Sequence, residues 1–282
     1  MNVSAWLLLF VTLVWGTTFP VLKIASSSLS GVEISGLRFC VAAVCMLPFA
    51  LRVPRATWKD GALLGVFALV SYVAQAFGLE YISSNRSAFI TSLNVLMVPL
   101  IGVLLGTRVS WLVLACAVLA CCGIGLMSWE GGAHLLGDSV TVLCALAYAL
   151  YVIVLSQRSV RHNAQQLVAT QIIFMAVFSV LWIGGSSAFS DAWRTLPVRA
   201  APHWPLLVYL GAIATAGMLF LQAIAQRNLS ADKAAVIFAM EPVFAALFGW
   251  LWLHETLSLQ AALGGALVVL AVILSELKWG RV

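Results

Sequence analysis

Charge is what this chain has least of. Only 9% of its 282 residues are Asp, Glu, Lys or Arg, while 63% are hydrophobic and mean hydropathy is +1.06. A soluble domain carries about 25% charge, so this composition cannot cover a water-exposed surface. The soluble classes are excluded, and the chain reads as an integral membrane protein with almost no soluble part. C-x-x-C spacing is also missing. Cys40, Cys45, Cys116, Cys121, Cys122 and Cys144 all fall inside apolar runs. They read as small packing residues, with no support for disulfides or a structural zinc. No low-complexity segment or domain linker interrupts the chain. Met1–Ala5 has no positive residue, which argues against a cleaved leader. His254-Glu255 lacks the second histidine of a zinc-hydrolase helix. The sequons at Asn85 and Asn228 lie too close to the bilayer to accept a glycan.

What is present is a series of long apolar runs. A spanning helix needs roughly 20 apolar residues. Ten runs approach that length: Ser4–Leu22, Val32–Leu51, Gly61–Ile82, Ser84–Gly106, Trp111–Met127, Gly137–Gln157, Gln165–Gly184, Pro205–Gln226, Asp232–Leu253 and Leu257–Glu276. They are too long for barrel strands and lack period-2 alternation, so helices are predicted. The net charge of +5 does not point to nucleic acid, because the basic residues sit in loops rather than on one face. With a cytoplasmic N-terminus, Arg52, Arg55, Lys59, Arg108, Arg158, Arg161, Arg227, Lys233, Lys278 and Arg281 fall inside. Lys23, Arg86, Arg194 and Arg199 fall outside, and Arg38 within a span. That bias places both termini in the cytoplasm. The polar stretch Gly185–Trp204 reads as an outer interfacial loop carrying a short helix. Most tryptophans, including Trp58, Trp111, Trp129, Trp204 and Trp279, read as an interfacial belt.

The second half repeats the first. A shift of 147 lays Ser83 on Ser230, Ala88 on Ala235, Ile90 on Ile237, Leu100 on Leu247, Gly102 on Gly249 and Leu104 on Leu251. The same shift lays Gln75-Ala76 on Gln222-Ala223. A shift of 133 lays Trp15-Gly16 on Tyr148-Ala149 and Arg38 on Gln171. Five spans followed by five similar ones enter the membrane from opposite sides. The expected fold is therefore an all-α membrane protein of ten helices in two inverted repeats, Met1–Met127 and Gly137–Val282, an architecture of secondary transporters.

Polar residues inside the spans mark the candidate substrate path. Glu241 lies about 13 Å into a core about 30 Å thick, near the midplane, where an ionisable group is costly and usually functional. Pro242 follows and frees backbone carbonyls. Asn94 takes the equivalent place in the first half, with Pro99 five residues on. The two could hydrogen-bond, flank one substrate, or act as interhelical glue. Gln75 and Gln222 form a second pair, whose amides offer donors and acceptors to a zwitterion. Tyr72 shares the face of Gln75. The patch Trp15-Gly16-Thr17-Thr18-Phe19-Pro20, with Tyr148 and Tyr151 from the other half, supplies aromatic faces and a kink. Arg38 is expected to snorkel outward or to pair with Glu33.

These residues resemble the drug/metabolite transporter superfamily in its EamA-type ten-helix branch. The marks are Trp15-Gly16-Thr17-Thr18-Phe19 with Lys23, Arg38-Phe39, Glu241-Pro242, and Trp252-Leu253-His254-Glu255-Thr256-Leu257-Ser258. The first half departs from the pattern at Gly106-Thr107-Arg108, which lacks the acidic residue usual before Arg. The resemblance implies a central cavity between the halves and export of small metabolites; more finely, the chain is similar to aromatic amino acid exporters of that branch.

The substrate-binding residues expected are Trp15, Thr18, Tyr72, Gln75, Asn94, Tyr148, Tyr151, Gln222 and Glu241, with kinks at Pro20, Pro99 and Pro242. No catalytic residue, metal or cofactor is expected. The partners are a small molecule, an amino acid foremost, and the lipid bilayer, with no nucleic acid; the protein is expected as a monomer in a cell membrane, the inner membrane of a bacterium if the resemblance holds. Drugs, lipophilic cations or sugar-like metabolites are the alternative cargo. An intramembrane enzyme would need a nucleophile–base pair or a metal cluster, and neither is visible. Glu241 is the one acid placed deep in the bilayer, and no second acid stands in register to relay a proton, so the reading leans to facilitated movement.

Overall fold

A computed structural model describes residues 3–82, 84–128, 134–187, 192–253 and 258–277. The described residues are helical throughout, joined by short turns. Eight helices are long and apolar enough to cross a membrane, and two shorter apolar helices cover Trp111–Leu126 and Ala262–Ser275. The side chains turned outward are those a lipid-facing surface requires. Trp6, Val44, Leu104, Trp111, Leu181, Trp182 and Leu259 are each more than half exposed, the reverse of a soluble protein's surface.

In chain order the helices are α1 (Val3–Ala25), α2 (Gly31–Met46), α3 (Arg55–Gly78), α4 (Ser84–Thr91), α5 (Asn94–Leu104), α6 (Trp111–Ser128) and α7 (Leu135–Arg158). There follow α8 (Ala164–Ser187), α9 (Ala192–Ala200), α10 (Trp204–Val208), α11 (Met218–Ala225), α12 (Ala231–Phe238), α13 (Glu241–Leu253) and α14 (Leu259–Leu277). Ser30 starts α2 by a capping box: its hydroxyl accepts from the Glu33 amide, and the Glu33 carboxylate accepts from the Ser30 amide at 2.8 Å. The polar stretch after α8 does carry a short helix, α9.

Two predicted spans differ from the uninterrupted helices expected. The fourth divides into α4 and α5, and the ninth into α12 and α13. Both breaks are tight turns, at Ser92-Leu93 and Ala239-Met240, with hydrogen bonds tightened to three residues' separation. At the shift of 147 the two breaks coincide. The causes differ. Pro242 has no N–H and disfavours helical geometry before it. Asn94 instead turns its side-chain amide back onto the Thr91 carbonyl at 2.6 Å, taking an acceptor freed at the end of α4. Pro20 and Pro99 sit inside continuous helices. A third irregularity, a π-helical segment at Tyr209–Gly217, lies between α10 and α11.

Helix α6 packs along α14, α3 against both α7 and α8, and α2 against α8 and the π-helical segment. Helix α1 packs against α13 and α11, and α5 against α7 and α12. Contact of α1 with α13 is close because Gly16 has no side chain. A Cβ there would lie 2.5 Å from the Phe244 Cβ and 3.0 Å from the Ala245 nitrogen. Ion pairs tie the helix ends. Arg86 and Asp138 form a two-bonded pair at 2.7 Å, Arg199 binds Glu33, and Asp60 holds Arg158 at 3.3 Å and His162 at 2.7 Å. Lys278 and Arg281, counted in the charge bias, lie outside the described residues, as do Trp129, Trp279 and His254-Glu255 of the sequence motifs.

Candidate functional site

The helices surround a small cavity of about 30 Å³. Helix α1 contributes Trp15 and Thr18, α2 Arg38, and α3 Ser71, Tyr72 and Gln75. Thr91 comes from the end of α4, Tyr148 from α7, and Glu241 from the start of α13. Six of the predicted substrate-binding residues, Trp15, Thr18, Tyr72, Gln75, Tyr148 and Glu241, thus stand around one space. The broken ninth span explains the place of Glu241: the turn at Ala239-Met240 leaves it as the first residue of α13, beside Pro242.

Three other predicted residues stand behind that wall. Asn94 is buried and turned onto Thr91. It makes no bond to Glu241. Tyr151 is fully buried and exchanges hydrogen bonds with Gln171, whose Nε2 donates to the Tyr151 hydroxyl at 3.1 Å. Gln222 is fully buried, and its Nε2 donates to the Tyr148 hydroxyl at 3.3 Å and to Gln226 Oε1 at 2.9 Å. Trp15 and Tyr148, matched by the shift of 133, touch edge to face with centroids 6.0 Å apart, and Phe238 packs on both rings. The indole N–H of Trp15 donates to the Ala214 carbonyl at 2.8 Å, locking its ring. The Ser71 and Thr91 hydroxyls lie 3.4 and 3.8 Å from the Cys144 sulfur.

Arg38 departs furthest from its expected place. It neither snorkels outward nor pairs with Glu33, which binds Arg199 instead. It is 3% exposed and lines the cavity. Its guanidinium lies 4.7 Å from the centre of the Tyr72 ring, and its Nε donates to the Thr215 hydroxyl at 3.0 Å. Nη2 is buried with no partner. Arg38 and Glu241 share the cavity and form no ion pair with each other. Sequence reasoning missed Arg38, Ser71 and Thr91 as lining residues. The Arg was visible as an intramembrane charge, but its direction depends on which neighbours surround α2.

Two larger hollows lie at the ends of the molecule. One of about 450 Å³ is lined by Lys23, Ser26, Gly31 and Glu80 on the predicted outer side. One of about 500 Å³ is lined by Arg108, Gln157, Gln226, Arg227 and Asp232 on the predicted inner side. The chain Tyr148–Gln222–Gln226 runs from the wall of the central cavity to the rim of the inner hollow.

The pattern of the EamA-like transporter family matches residues 2–129 and again 135–277. The chain belongs to the EamA-like transporter family. Among its relatives is an uncharacterized transporter of Archaeoglobus fulgidus, 30% identical over 96% of this chain and 85% of that protein. Another is a probable terminal-alkyne amino-acid exporter of Streptantibioticus cattleyicolor, 25% identical over 96% of this chain and 92% of that one. An uncharacterized transporter of Bacillus subtilis is 23% identical over 96% of each. A protein solved by crystallography has the same fold, with a TM-score of 0.78 at 16% identity over 99% of both chains. The small central cavity is thus walled by aromatic rings and by Arg38 and Glu241, which do not pair with each other, with larger hollows at either end.

Proposed function

We propose that this EamA-like protein exports small zwitterionic metabolites, foremost aromatic or large apolar amino acids, by alternating access between two inverted five-helix repeats. The observation that carries the reading is the coincidence of the two broken helices. The breaks before Asn94 and Glu241 superpose at the repeat shift, and each adjoins a residue that lines the central cavity, Thr91 and Glu241. Irregular backbone at that depth is tolerated where it is buried in protein or lines a polar space. Helix contacts support the same symmetry. Exchanging the halves turns the packing of α1 on α13 into that of α7 on α5, and α3 on α7 into α11 on α1. It carries α3 on α8 into the π-helical segment on α2, and leaves α6–α14 and α2–α8 unchanged. On this reading the two shorter apolar helices complete a count of ten spans, divided at residues 1–127 and 137–282.

Trp15, Tyr72 and Tyr148 would receive an apolar side chain, while the polar wall receives the charged ends. The Streptantibioticus relative, a probable terminal-alkyne amino-acid exporter, supports amino acids as cargo. A cavity of about 30 Å³ admits little more than water, so on this reading it must widen toward one hollow to load and toward the other to release. The test is flux of radiolabelled phenylalanine, tryptophan and leucine into liposomes containing the purified protein. Saturable uptake of at least one is expected. Flux of a sugar or a lipophilic cation, with none of any amino acid, would transfer the reading to that cargo.

A further inference from the structure

We infer that Arg38 is the anion-binding residue of the central cavity, and that the cargo must carry a carboxylate for its guanidinium. This rests on the transport reading and names the charge class of its substrate. A guanidinium taken out of water is costly unless a counter-charge and full hydrogen bonding compensate it. Arg38 has neither. One nitrogen is satisfied by Thr215, one face of the guanidinium lies on Tyr72, and Nη2 has no partner. No carboxylate pairs with it among the described residues.

Its surroundings hold the group in place rather than neutralise it. The π-helical segment lets the Thr215 hydroxyl donate to the Leu210 carbonyl, five residues back, at 2.7 Å while accepting from Arg38. The same segment comes so close to α2 at Gly211 that a Cβ there would lie 2.7 Å from the Arg38 carbonyl oxygen. π-Helical turns of this kind recur at functional sites. An arginine fixed by its Nε and one face, with a terminal nitrogen open, is prepared for an incoming carboxylate.

The opposite half shows that the fold does not require a cation here. The residue matched to Arg38 is Gln171, a neutral amide, fully buried and bonded to Tyr151. The charge therefore belongs to one half only, as a site for an asymmetric ligand would. Glu241 supplies the complement. Its carboxylate faces the same cavity without a hydrogen bond from the described residues, and it would meet the ammonium of an amino acid. A guanidinium and a carboxyl group kept apart in one cavity match the two ends of a zwitterion laid between them.

The test is thermal unfolding of the purified, detergent-solubilised protein with paired ligands: L-phenylalanine and L-phenylalaninamide, L-leucine and L-leucinamide, 3-phenylpropionate and 3-phenylpropionamide. Each carboxylate is expected to stabilise the wild type at a concentration at least about tenfold lower than its amide. Arg38→Gln should erase that preference, and Arg38→Lys should keep part of it, because a point charge replaces a planar fork. Glu241→Gln should weaken the two amino acids and spare 3-phenylpropionate. The inference is overturned if amides act as well as acids, if Arg38→Gln keeps the preference, or if no carboxylate acts on the wild type. The wild-type comparison stands even if Arg38→Gln fails to fold. Binding that depends on Arg38 without amino-acid flux would sink the export reading alone. Flux indifferent to amidation would sink the Arg38 assignment alone.

Discussion

Glu241 is the residue on which energy coupling turns. It stands beside the cavity as the first residue of α13, and it is the only carboxylate among the described lining residues. A proton relay needs a second group able to accept the proton on the way out, and the lining offers hydroxyls, one amide, an indole and a guanidinium instead. Wild-type flux of phenylalanine in liposomes is therefore expected to ignore an imposed pH gradient. Glu241→Gln should raise the half-saturating concentration by about tenfold, as loss of one charge-assisted contact does, without creating a gradient effect. Uphill accumulation by the wild type under a proton gradient, reduced in Glu241→Gln to mere equilibration, would instead make this acid the proton carrier.

At the scale of elements, close approach of helices rests on small residues, since lipid supplies no hydrophobic force between them. Gly16 is the sharpest case, because its neighbour across α1 and α13 includes backbone, which cannot rotate away. Gly16→Val is expected to destabilise the protein by about 1–3 kcal/mol through overpacking, read as a lowered unfolding temperature in detergent. Gly184→Val is the control, since nothing among the described residues lies within 4 Å of a Cβ at that position. Equal unfolding temperatures for the two variants would mean that α1 and α13 do not pack at Gly16. The role of Gly16 in close approach was legible from its setting between Trp15 and Thr17. The turn at Ser92-Leu93 was not, because no proline or glycine announces it and Pro99 lies well beyond it.

For the whole molecule, orientation is a matter of charge. The ion pairs respect the predicted sides: Arg86–Asp138 and Arg199–Glu33 join residues placed outside or at the outer helix ends, and Asp60 with Arg158 and His162 joins inner ones. Alkaline phosphatase and green fluorescent protein fusions after each span should place both termini in the cytoplasm, with the loops at 26–30, 79–83 and 188–203 on the opposite side. An extracellular C-terminus, or an even number of spans in either half, would end the inverted-repeat reading.

Composition decided that this chain is a membrane protein, because 9% charge cannot clothe a soluble surface, and the length of its apolar runs decided that it is helical. The order of polar residues along the repeat brought out Trp15, Tyr148 and Glu241, since a polar or aromatic residue at a given depth stays at that depth however the helices pack. Direction around each helix axis was another matter. A helix that is apolar on all sides carries no stripe to tell its lipid face from its cavity face. Asn94 and Gln222 could therefore be placed in depth but not in azimuth, and packing turned them into hydrogen bonds with Thr91, Tyr148 and Gln226. The same freedom let packing bring Arg38 inward against Tyr72 and Thr215, because the outer partner it was expected to take, Glu33, is held by Arg199.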